Sequence, residues 1–169
     1  MHFQHDNSNN NNYNKNKYND VITDNFVLLT EIGRGAFGEK YLSFNIRDNI
    51  EVAVKKEILI KIKMCSQLKN GARIYQHLLS IPSHITLNGE YSIPQKDVQG
   101  IPKFYGYGKL NDTYDYFIMK FLGPNLIELL NYCGYKRFTL VTVSLLALQF
   151  LNRIETLHKN SYIHRDINL

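Results

Sequence analysis

The pattern of apolar and polar positions changes character twice along this chain of 169 residues. Residues 1–20 are rich in Asn, with no apolar run long enough for a signal peptide. From about residue 21 short segments carry apolar and aromatic side chains at strand spacing. Phe26-Val27-Leu28-Leu29, Tyr41-Leu42-Ser43-Phe44, Val52-Ala53-Val54, a segment around Tyr105, and Tyr116-Phe117-Ile118-Met119 read as strands. From about residue 122 the spacing becomes helical. One helix is expected over 125 to about 133 and a second over 139 to about 159, with Thr139 as N-cap. Leu145, Leu148, Leu151 and Ile154 form an apolar stripe on the second helix, which reads as core. The expected class is α+β: residues 26–121 form a five-stranded antiparallel sheet with one helix, and further helices follow.

The Asn-rich lead cannot offset its ordering entropy by burial, so residues 1–22 are expected to be disordered. Residues 79–99 contain Pro82, Pro94 and Asn88-Gly89 and read as a long loop. Hydrophobic residues make up 44% of the chain, enough for a core. No uninterrupted apolar run approaches the length of a membrane span, so no membrane association is expected. Cys65 and Cys133 provide neither a disulfide framework nor metal-ligand spacing. The formal charge of +5 comes from lysines spread along the chain, which argues against a nucleic-acid interface. A monomer in the cytoplasm or nucleus is expected.

Candidate chemistry begins at Ile32-Gly33-Arg34-Gly35-Ala36-Phe37-Gly38, a G-x-G-x-x-G pattern shared by dinucleotide folds and protein kinases. A dinucleotide fingerprint opens a helix in a parallel unit. Here strand-like residues stand on both sides, so the glycines belong to a hairpin whose backbone can approach phosphate oxygens. Lys55 ends the next strand, Glu51-Val52-Ala53-Val54-Lys55, where a lysine reaches the phosphates in kinases. Further on, His164-Arg165-Asp166 opens like a kinase catalytic loop. Each piece alone is weak. Their order is what argues.

From about Phe26 onward the chain resembles the first part of a casein kinase I family Ser/Thr protein kinase. The resemblance rests on Glu51 to Lys55, Gly100-Ile101-Pro102 with Tyr105-Gly106, Leu122-Gly123-Pro124-Asn125-Leu126, Asn131-Tyr132-Cys133, and Gln149 to Glu155 leading into Leu157-His158 and the catalytic loop. It implies a small lobe over residues 23–121, then the hinge exit, first large-lobe helices and catalytic-loop stub over 122–169. It implies ATP-dependent phosphoryl transfer to protein Ser or Thr hydroxyls. By the resemblance Ile32, Gly33, Arg34, Gly35, Ala36, Phe37 and Gly38 cover the nucleotide with Lys55 on its phosphates. Met119 is then the gatekeeper, Lys120, Phe121 and Leu122 the hinge, and Asp166 the catalytic base.

Four departures limit the transfer of activity. Gly71 stands where the small-lobe helix carries the glutamate that pairs with the strand lysine, and no Asp or Glu lies between Glu57 and Glu90. Asn168 replaces a lysine expected to neutralise the γ-phosphate, and Lys40 replaces an aliphatic residue over the adenine. The family's magnesium-binding Asn and Asp-Phe-Gly fall beyond Leu169, so no metal ligand is assigned. The chain as given is therefore expected to be an incomplete, inactive fragment, its C-terminal third poorly folded for want of cover on its long helix. The alternatives are a degenerate module that binds ATP or a protein, or a gene fragment without selected function.

Overall fold

A computed structural model describes residues 21–35, 38–58, 66–80, 98, 100–134 and 137–167. The described elements are β1 (Val21–Thr23), β2 (Phe26–Gly35), β3 (Gly38–Asn45), β4 (Ile50–Ile58), α1 (Gln67–Leu78), β5 (Phe104–Leu110), β6 (Tyr114–Lys120), α2 (Leu126–Tyr132) and α3 (Leu140–Lys159). The strands form one antiparallel sheet in the order β1-β2-β3-β4-β6-β5. The protein is α+β. Between residues 26 and 121 the expected five strands and one helix are present. β1 adds a sixth strand, and its Ile22 is buried against Phe26, Leu28 and Val52. The boundary expected at residue 22 is thus corrected, since the ordered sheet already starts at Val21. Residues 1–20, Cys65, and all of 79–99 except Leu79, Ser80 and Val98 lie outside the described residues.

Alternation along β4 divides the core in two. Val52 and Val54 point to one face, where they pack with Tyr116 and Ile118 of β6. Ala53, Lys55 and Glu57 point to the other, the face that α1 covers. The amphipathic helix α1 lays Leu68, Ala72 and Tyr75 on Phe104 and Phe117, and Tyr75 meets both rings at centroid separations of 5.6 and 5.3 Å. Burying each of these large side chains is worth roughly 1.5–3 kcal/mol. Ser66 caps the helix by accepting from Lys69 N at 3.3 Å. The buried Glu57 carboxylate accepts from Leu68 N at 3.3 Å and from the Ser66 hydroxyl at 3.4 Å. A negative charge there also favours the positive end of the helix dipole.

Helix α3 starts at Thr139, the cap the sequence suggests, and α2 is capped by Asn125. Asn125 and Glu128 exchange side-chain to backbone hydrogen bonds in a capping box, and Thr139 accepts from Thr142 N at 3.2 Å. The reading of the α3 stripe as core is corrected. Leu145, Leu148 and Leu151 are 56%, 59% and 64% exposed, because no described element packs on that flank. α3 runs unbroken for 20 residues and has no buried residue. Its C-terminal half and the residues just beyond its end touch the rest of the fold. The Arg153 side chain fills the space beside Gly100, and Tyr162 meets the His77 ring edge to face at 5.4 Å. By length and composition α3 could cross a bilayer, with a mean hydropathy of 1.3. Thr142, Ser144 and Gln149 interrupt it, so the expectation that no uninterrupted apolar run approaches the length of a span stands beside this average.

Two glycines make opposite demands. Gly38 has φ +109°, and a Cβ there would overlap the Lys56 carbonyl oxygen. A Cβ at Gly71 would instead find ordinary contact with Phe117 Cε2 at 3.8 Å. Gly38→Ala is expected to destabilise the protein by about 2–3 kcal/mol through backbone strain, whereas Gly71→Ala stabilises it by about 1 kcal/mol through helix propensity. Urea denaturation measures both. An unchanged midpoint for Gly38→Ala would show that the approach of β3 to β4 is not a constraint.

Candidate functional site

Strand flanks the glycines on both sides, as their context requires. Gly33 and Gly35 end β2, Gly38 opens β3, and Gly35 pairs with Gly38. Ala36 and Phe37, the expected tip of the hairpin, lie outside the described residues. The register across the sheet builds two adjacent rows. One runs Gly33, Lys40, Lys55, Phe117; the next runs Arg34, Glu39, Lys56, Tyr116. Adjacent rows point to opposite faces.

The second row is an ionic network. Arg34 binds Glu31 through Nε at 3.0 Å and Nη2 at 2.8 Å, and reaches Glu39 at 2.6 Å. Glu39 also accepts from the Tyr41 hydroxyl at 2.8 Å and lies 3.2 Å from Lys56 Nζ. The Lys56 ammonium stands over the rings of Tyr41 and Tyr114, 5.3 and 4.7 Å from their centroids. The Tyr41 hydroxyl, and then Lys56, hold the Glu39 carboxyl below its usual range against the opposing effect of burial. Burial first, then the bond to Glu39, pushes Tyr41 up to about 12. Arg34, expected on the nucleotide, is therefore engaged on the opposite face.

The first row faces a cleft of about 630 Å³. Ile32, Lys40, Ala53 and Lys55 form its sheet wall, and Phe117 and Met119 stand behind them. The segment from Lys120 to Leu122 crosses its edge, and Asn125 and Glu128 of the α2 N-terminus close another side. The crossing segment is anchored by Lys120 N, which donates to Lys103 O at 2.8 Å. The fold thus brings Ile32, Lys55, Met119 and Leu122 into one cavity. Gly33, Gly35 and Gly38 shape the hairpin above it without lining it.

Asp166 is exposed and does not line the cleft. Its backbone N–H donates to His164 Nδ1 at 3.3 Å, and Arg165 before it has φ 61°. That left-handed conformation costs a non-glycine residue energy and is frequent at functional sites. Asn168 lies outside the described residues. Among the described residues no group of three or more His, Cys, Asp or Glu is placed to hold a metal ion.

Sequence reasoning did not assign Ala53, Phe117 or Glu128 to the site, and placed Lys40 there only as a departure from the aliphatic residue expected over the adenine. Glu128 was detectable as the far end of an Asn-x-x-Glu capping box, a motif that predicts helix structure rather than a binding wall. No known family model matches the chain.

The raised pKa of Tyr41 gives stability a defined alkaline limb. Below the ordinary tyrosine value of about 10 its contribution is fully present, and it is lost as pH rises through about 12. A tyrosinate difference titration between the wild type and Tyr41→Phe should show this late transition. In Glu39→Gln it should move down, because the carboxylate's share of the shift is removed while burial remains. An unmoved transition would mean that Glu39 and Tyr41 are not coupled in solution.

Proposed function

We propose that the cleft binds an adenine nucleotide and that the chain is part of a Ser/Thr protein kinase resembling the casein kinase I family. The observation that carries this reading is the convergence in one cavity of a strand lysine, Lys55, a glycine-hairpin residue, Ile32, and an extended crossing segment, Lys120 to Leu122. The cavity fits the size of a small-molecule site and is walled by apolar side chains with a few polar groups, the arrangement that seats a flat base and orients its charged end. In this reading Ala53, Ile32 and Met119 contact the base, backbone groups of residues 120–122 hydrogen-bond its edge, and Lys55 meets the phosphates. ATP would supply the transferable phosphoryl group, and a protein Ser or Thr hydroxyl would receive it. Asp166 would accept the hydroxyl proton.

Binding has stronger support than transfer. Asp166 lies outside the cleft lining. Gly71, in the position the resemblance gives to the pairing glutamate, faces Phe117. These two observations favour a second reading of the same site as a nucleotide-binding module without catalytic activity.

Calorimetric titration with ATP and adenosine tests the common part of both readings. The wild type should bind both, with an ATP affinity indifferent to magnesium. Ala53→Phe, which fills the cleft beside Ile32 and Met119, should weaken both at least about tenfold, the loss expected when a ligand's apolar burial is blocked. A folded wild-type chain that binds neither, or an Ala53→Phe variant that binds both undiminished, would refute nucleotide binding in this cleft.

A further inference from the structure

Helices α1 and α3 treat their exposed cations differently. On α3, Lys159 is paired with Glu155, one turn back, at 2.7 Å. On α1, Lys69, Arg73 and His77 stand at successive turns of one exposed flank, and no Asp or Glu occurs from residue 58 to residue 89. The helical neighbours of Arg73 three and four positions away are Lys69, Asn70, Gln76 and His77, so no carboxylate of the helix stands beside it. Among the described residues neither Lys69 nor Arg73 forms an ion pair. Like charges four residues apart destabilise a helix. Lys69 works against the helix in a second respect. Ser66 accepts from Lys69 N at 3.3 Å, the first half of a capping box, and the residue that would complete the box as Glu or Gln is this lysine. A cation in the first turn also opposes the positive end of the helix dipole.

A charge pattern that breaks local rules, with no counter-charge on its own helix, points to a counter-charge supplied from outside. We propose that this flank of α1 docks an acidic segment of a partner protein. Successive cations on α1 are one turn, about 6 Å, apart along the axis. A partner helix with Glu at every fourth position presents carboxylates at the same interval, so the two helices lie alongside each other. A protein is favoured over nucleic acid because single-strand sites combine cations with aromatic stacking platforms. The aromatic ring of α1, Tyr75, is instead turned inward onto Phe104 and Phe117. A protein is favoured over a membrane surface because interfacial helices insert an apolar flank, and the apolar residues Leu68, Ala72 and Leu78 are buried within the fold. The flank faces away from the α1 packing on Phe117, so the inference does not depend on the nucleotide reading of the cleft. The competing explanation is a solvated face without a ligand.

Fluorescence anisotropy of the full chain with a labelled peptide of four Glu-Ala-Ala-Ala repeats, long enough to hold a helix, measures docking at low salt. The same peptide with Gln for Glu, an oligothymidylate, and vesicles of phosphatidylcholine and phosphatidylserine are the comparison ligands. The wild type should bind the Glu peptide, less tightly as salt rises, and should not bind the Gln peptide. Lys69→Glu combined with Arg73→Glu should weaken binding roughly tenfold or more, since attraction becomes repulsion at both positions. Lys69→Gln with Arg73→Gln, which introduces no new charge, should lose affinity in the same direction. Lys109→Glu with Lys159→Glu lowers the net charge equally at exposed positions elsewhere and should leave binding unchanged. Circular dichroism establishes that each variant keeps its helices. An equal loss in the two charge-reversed variants would overturn the proposal, because attraction would then follow net charge and not the α1 flank. So would a wild type that fails to bind the Glu peptide, or one that binds oligothymidylate or the vesicles more tightly through Lys69 and Arg73.

Discussion

The site depends on how closely β3 approaches β4 at Gly38. With no Cβ, Gly38 can lie against the Lys56 carbonyl at φ +109°, and this contact fixes Glu39 opposite Lys56 and Lys40 opposite Lys55. A slip of one residue would invert both rows, because side chains alternate with a period of two. The ionic network of Arg34, Glu39 and Lys56 would then face the cavity, and the two lysines would face outward. The glycine-rich turn therefore matters here for register as much as for access to a ligand. The outer network works in the same sense. Individually its exposed ion pairs contribute little, but as a connected set across β2, β3 and β4 they are satisfied only in the register that Gly38 permits.

Much of the fold was legible because local rules and tertiary demands agree. The hairpin was recognisable from strand patterns on both sides of the glycines, and the starts of α2 and α3 from Asn125 and Thr139. β1 escaped notice because three residues, Val21 to Thr23, give no period to read; it exists only through pairing with β2 and the burial of Ile22. The α3 stripe was read as core because periodicity reports which side chains could be buried together, and burial needs a partner that periodicity does not supply.

The site was legible in a more selective way. Ile32, Lys55, Met119 and Leu122, each named from a local motif, line one cleft. The Arg34 side chain, named with the rest of a seven-residue motif, is sent by alternation to the face opposite Gly33, where it pairs with Glu31 and Glu39. Lys40 was noticed only as a departure from an expected residue type. Its meaning depends on Lys55 lying fifteen positions later in sequence and directly across in space, a relation that only the β3–β4 register reveals.

The coupling between sheet and helix bears on which reading of the site holds. A phosphate-binding lysine is useful to transfer chemistry when something holds it in place, and the resemblance leads one to expect that support from the middle of α1. Here the middle of α1 is Gly71 against Phe117, and the helix is held by apolar packing and by Glu57 at its first turn. Glu57 lies two residues beyond Lys55 on the same face of β4, so the carboxylate that ties α1 to the sheet comes from the strand. Such a tie secures the helix to β4 with little freedom for α1 to carry a charge toward or away from the cleft.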